Sequence, residues 1–93
     1  MIIYNKIDSK LIKQVNTDLK NNLIKKIYIE ITQDNEENEE LYSLYLNVFY
    51  NRNYNEYKVV MILEGSYKEV INYINELDIL DQFDTNIKII KNI

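Results

Sequence analysis

The 93-residue chain has no cysteine, no histidine, no proline and no tryptophan, and only one glycine. Each absence removes a class of chemistry. Without cysteine there is neither a disulfide nor a thiolate nucleophile, and the redox compartment is not indicated directly. Without histidine the chain lacks the side chain that titrates near neutral pH and most often serves as general base. A single glycine cannot build the glycine-rich loop that cradles phosphate. The three serines offer no nucleophile beside a base, since Ser9 and Ser66 look like helix-start residues and Ser43 lies mid-strand. No apolar run resembles a signal peptide or approaches the roughly 20 residues of a membrane span. A cytoplasmic, soluble, non-enzymatic protein without cofactor or metal is therefore expected.

What is present is isoleucine, tyrosine, asparagine and acid. Sixteen isoleucines and nine tyrosines in one short chain supply a core for a single domain spanning residues 1–93. The formal net charge of −4 is unevenly spread. Residues 1–33 carry six lysines against three acids, giving +3, and residues 34–93 carry five basic against twelve acidic residues, giving −7. An acidic surface of that kind repels phosphate and attracts a basic partner.

The stretch from Glu40 to Leu80 organises the chain. Leu41 to Tyr50 alternates with period 2, placing Tyr42, Leu44, Leu46, Val48 and Tyr50 on the expected core face and Leu41, Ser43, Tyr45, Asn47 and Phe49 on the face toward water. Glu56 to Glu64 alternates as well, Tyr57, Val59, Met61 and Leu63 against Lys58, Val60, Ile62 and Glu64, and its apolar centre suits a strand in the middle of the sheet. Between them, Asn51-Arg52-Asn53-Tyr54-Asn55 reads as a hairpin turn. Gly65 ends the second strand. Ser66 and Glu69 then form a capping box, and Tyr67, Val70, Ile71, Ile74 and Leu77 make one helical stripe.

Upstream, Met1 to Ile7 reads as a short strand. Asp8 caps a helix from about Ser9 to Asn21, with Ile7 and Ile12 as its hydrophobic staple and Asn21-Asn22 as its stop. Ile24 to Gln33 alternates with Ile27, Ile29 and Ile31 inward and Tyr28, Glu30 and Thr32 outward, and Asp34 to Glu40 reads as an acidic loop. Within it Asp34, Glu36, Asn38 and Glu40 alternate as in a calcium loop, but the glycine and the full ligand spacing are missing, so a solvated loop is expected. Asp78 to Asp84 is a last turn or a short helix capped by Asp78, and Asn86 to Ile93 is a closing strand. The fold class is α+β: an antiparallel sheet of three or more strands with two amphipathic helices on one face, in the order (β)-α-β-β-β-α-β. A ferredoxin-like split βαβ arrangement is the alternative.

The binding residues expected are Asp34, Glu36, Glu37, Glu39 and Glu40 of the acidic loop, with Tyr45, Arg52 and Tyr54 of the hairpin. Acids spaced along a loop either confer solubility or replace phosphates in pairing with Arg and Lys. Exposed Tyr beside Asn is typical of protein-contact surfaces, whereas Tyr stacking on bases normally accompanies a basic groove. Self-association through Leu41, Phe49, Val60 and Ile62 as a homodimer face is the alternative.

The α-β-β-β-α order resembles the double-stranded RNA-binding domain. That family relies on lysines at the start of its second helix, where this chain reads Ser66-Tyr67-Lys68-Glu69, one Lys beside one Glu, so no direct nucleic-acid binding is carried over. In size, acidity, element order and the segment Asp34 to Glu40, the chain also resembles small phage anti-CRISPR proteins, which share no diagnostic motif. That resemblance implies a phage or mobile-element protein that binds and occludes a host protein, with a CRISPR effector as one target and nucleic-acid mimicry as one mode.

Overall fold

The computed structural model describes residues 1–36, 39–51, 57–76 and 78–93; of residues 34–36, 39, 76 and 79 it describes the backbone alone. The elements are β1 (Ile2–Ile3), α1 (Ser9–Lys20), β2 (Ile24–Glu36), β3 (Glu39–Tyr50), β4 (Tyr57–Gly65), α2 (Tyr67–Glu76), a 3-10 turn (Ile79–Gln82) and β5 (Lys88–Asn92). This is the expected α+β order.

Both helices start and stop where local chemistry directs. The Asp8 side chain accepts from the Leu11 N–H at 3.0 Å, and Ile7 and Ile12 are both buried beneath that cap. Asn22 takes the left-handed conformation at φ 57°, which ends α1. The Ser66 N–H donates to Glu69 Oε1 at 3.1 Å while the Glu69 N–H donates to Ser66 Oγ at 3.2 Å, completing the capping box of α2. Gly65 has no positive φ; its role is room, because a Cβ there would stand 3.2 Å from Glu69 Oε1 and 3.4 Å from the Met1 Cα. Asp78 does precede the 3-10 turn, but with φ 42° and no side-chain cap. Leu77 lies outside the described residues.

The sheet has five strands in the order β1-β4-β3-β2-β5. β2, β3 and β4 form an antiparallel meander, and the terminal strands sit at its two edges, so the split βαβ arrangement does not apply. β1 is only two residues long, shorter than Met1 to Ile7; Tyr4 and Asn5 instead donate their backbone N–H groups to the Ile62 carbonyl. The sheet is mixed and not purely antiparallel, because β5 pairs parallel with β2. The reason is the crossover. A helix carries the chain from the end of β4 back to the start of β5, and a strand entered that way runs in the direction of β4, hence of β2.

The acidic segment is not a loop up to its described limits. β2 continues to Glu36 and β3 begins at Glu39, with Asp34 opposite Leu41, Asn35 opposite Glu40 and Glu36 opposite Glu39. The ladder bonds backbone to backbone, so a register established below by Ile29, Ile31, Leu44 and Leu46 extends into residues with no apolar side chain of their own. Glu37 and Asn38 lie outside the described residues.

One cluster forms the core. Ile29 and Ile31 of β2, Leu44, Leu46 and Val48 of β3, Ile62 and Leu63 of β4, Ile12 and Val15 of α1, and Val70 of α2 all belong to it, so both helices lie on the same face. Each aliphatic side chain fully buried there contributes about 1.5–3 kcal/mol. A bulge in β4 changes the expected phase: Leu44 pairs with Leu63 and Tyr45 with Met61, leaving Ile62 as the extra residue. Ile62 and Leu63 are consequently both at 0 % exposure in the core. Val60, which pairs with the buried Leu46 and packs against the core, and Ile62 are not outer-face residues, and the dimer face composed of Leu41, Phe49, Val60 and Ile62 does not exist as such.

A candidate protein-contact surface on the open face of the sheet

The second face of the sheet is covered by no described element. Strand register sets what it displays. Lys26, Phe49 and Tyr57 lie side by side in one row; Lys88, Tyr28, Asn47 and Val59 form the next; Ile90, Glu30, Tyr45 and Met61 the third; Asn92, Thr32, Ser43, Glu64 and Ile2 the fourth.

One end of this face carries a run of stacked rings. Phe49 lies 4.3 Å from Tyr57 and 6.1 Å from Tyr28, centroid to centroid, with interplanar angles of 29° and 19°. The Lys26 ammonium stands 4.9 Å from the Tyr28 centroid and closes that end of the stack. Ser43 and Asn47, expected to face water, are 2 % and 1 % exposed although no described helix lies above them.

Asn47 is the polar anchor of this stack. Tyr57 donates its hydroxyl hydrogen to Asn47 Oδ1 at 2.5 Å. The Asn47 Nδ2 is buried and has no hydrogen-bond partner among the described residues. Desolvation, followed by the adjacent Tyr28 and Glu30, holds the Tyr57 phenol above the ordinary tyrosine value. Glu30 in turn accepts from Asn92 Nδ2 at 2.6 Å, tying β5 to β2 across the same face.

The expected binding residues are dispersed by the fold. Tyr45 sits half-buried on the open face between Glu30 and Met61. Glu40 is exposed near the far end of the hairpin, opposite Asn35. Asp34, Glu36 and Glu39 are strand residues in that same end, while Glu37, Arg52 and Tyr54 lie outside the described residues. Residue patterns alone did not single out Tyr28, Phe49, Asn47 or Val59 as one surface. The outward phase of Tyr28, Asn47 and Phe49 was visible on their strands, whereas Val59 was expected on the face opposite Val60 and Ile62 and so inward; the meeting of all four depends on the register between strands.

Among the described residues no group of three or more Asp or Glu is placed to hold a metal ion. No helix is long and apolar enough to cross a membrane among those residues. Comparison of the chain with protein-family models, curated proteins and solved structures yields no significant match.

Proposed function

We propose that the chain is a non-enzymatic protein-binding domain whose contact surface is the open face of its sheet. The observation that carries this reading is the Tyr28–Phe49–Tyr57 stack, with Tyr45, Val59 and Met61 beside it, on a face that no described element covers. Rigid aromatic side chains give large contact area at small entropic cost, and contiguous exposed apolar patches mark interaction sites. Stacking on nucleic-acid bases is the competing use of such rings. Here the ring faces are occupied by one another and by Lys26, and Glu30 and Glu64 on the same surface repel phosphate. In its narrower form, drawn from the resemblance to anti-CRISPR proteins, the domain is an inhibitor that occludes a host protein, with the acidic end of the β2–β3 hairpin at the rim of the contact.

A photo-crosslinking residue placed at Val59 tests the reading against one at Asn72, which is exposed on α2. A discrete protein adduct from position 59 and none from position 72, in cells expressing the chain, supports the open face as a protein-contact surface. Equal adducts from both positions, or none from position 59, overturn it.

A further inference from the structure

We infer that the occupant of the open face is a second copy of this chain, packed face to face with the strands of the two copies running in opposite directions. The inference rests on the protein-binding reading of that face and names its partner. The first argument is charge. Lys26 and Lys88 lie at one end of the strands, and Glu30 and Glu64 lie toward the other. A partner of one charge sign matches half of this surface and repels the other half. A second copy turned end for end sets each lysine end over a glutamate end, twice, by symmetry.

The second argument is area. Seven residues each of β2, β3 and β4, five of β5 and two of β1, at about 3.3 Å per residue and a strand spacing of about 4.8 Å, give a patch on the order of 440 Å². Doubled across two copies, that is about 900 Å², the size of a weak, reversible contact and not of an obligate dimer. Packed sheets lie about 10 Å apart, which the side chains of Tyr45, Val59, Met61 and Ile90 are long enough to fill. Edge pairing is the weaker route to the same stoichiometry, because β5 carries Lys88 and Lys91 and β1 already covers part of the β4 edge.

Sedimentation equilibrium on the full chain tests this, with circular dichroism confirming that each variant is folded. The wild type is expected at twice its 11.3 kDa mass at tens of micromolar. Lys26→Glu with Lys88→Glu should weaken the dimer at least about tenfold, and adding Glu30→Lys with Glu64→Lys should restore it to within about threefold. Val59→Lys, which places a charge on the contacting face beside Asn47, should give a monomer by itself. A wild type that remains monomeric up to about 500 µM, or a dimer indifferent to both charge reversal and Val59→Lys, overturns the inference. The two readings fail separately. If the wild type is monomeric while the crosslinker at position 59 captures a different protein, the second copy is excluded and the contact surface stands; if it captures nothing, both fall.

Discussion

The two faces of this sheet bury side chains by different means. On one, aliphatic side chains of three strands meet two helices, and Ile31, Leu44, Ile62 and Val70 lose all contact with water. On the other no described element forms a second layer, yet Ser43 and Asn47 are almost as inaccessible, Asn47 bonded to the hydroxyl of Tyr57 in the ring stack and Ser43 set between Thr32 and Glu64. Burial beneath a packed layer is cooperative, since each side chain depends on elements distant in sequence. Burial on the open face is local and rests on a few side-chain contacts that leave the outer edges of the rings free. The first arrangement supplies stability, and the second leaves Tyr57 and Val59 at 48 % and 44 % exposure, available to a partner.

The largest expected effect tests that division directly. Leu44→Ala removes a fully buried core side chain and should cost about 3–4 kcal/mol, because a cavity remains beneath the helices. Val59→Ala, on the open face, should cost less than about 0.5 kcal/mol. Urea unfolding of both proteins checks the ratio. Similar losses would mean that the open face contributes to stability as a core does, and that its exposure needs another account.

Phe49→Ala should fall between these limits, at about 2 kcal/mol. Phe49 is half-buried, and its removal breaks the stack on both sides, each aromatic contact being worth about 0.5–1.5 kcal/mol beyond the area buried. A double-mutant cycle with Tyr57→Ala isolates one of the two contacts. A coupling below about 0.3 kcal/mol would show that the rings are merely adjacent.

Much of this arrangement was legible before the structure. The capping box at Ser66 and Glu69, the Asp8 cap, the Ile7–Ile12 staple and the outward phase of Tyr28 and Tyr45 all follow from near-neighbour chemistry, and each is present. What escaped depended on distant pairings. The bulge that lets Ile62 and Leu63 both face inward leaves no mark in β4, whose centre from Val59 to Leu63 is apolar at every position. The acidic segment reads as a loop by composition and pairs as strand by continuation of a register established elsewhere. The parallel pairing of β5 follows from the route of the chain after α2, not from any residue in Lys88–Asn92. The candidate surface was hidden for the same reason: its aromatics come from β2, β3 and β4 and meet only once the register is known.

Asn47→Val sharpens the comparison from the other side. A buried amide with an unsatisfied donor is normally costly, and replacing it by an apolar group of similar size should change stability by less than about 1 kcal/mol despite the lost bond from Tyr57, whose hydroxyl can turn to water. A loss above about 2 kcal/mol would show that the Tyr57–Asn47 bond holds the ring stack in place. A near-neutral change accompanied by loss of dimer would show that Asn47 orders the rings for contact and not for folding.

The smallest expected effect is that of the Glu69 charge at the junction of the sheet with α2. The Glu69 carboxyl is held below its ordinary value, first by the Ser66 backbone N–H, then by the Met1 amino group 3.0 Å away and by the Ser66 hydroxyl. A carboxyl depressed in the folded state stabilises it at pH values above its unfolded titration, and that contribution disappears as the pH falls through the folded value. Glu69→Gln keeps an oxygen that can accept from Ser66 and removes only the charge. Its melting temperature should therefore lie slightly below that of the wild type at about pH 7, and the difference should shrink as the pH falls below the ordinary carboxyl range and through the depressed folded value. Because Glu69 is well exposed, 0.5 M salt should shrink the difference at neutral pH as well. Ser66→Ala breaks the reciprocal cap and should cost about 1 kcal/mol, with a loss that persists at low pH to the extent that the serine hydroxyl, and not the carboxylate, satisfies the first turn. A Glu69→Gln difference that widens toward low pH would reverse the sign required by a depressed carboxyl and would place the stabilising interaction elsewhere in the α2 cap.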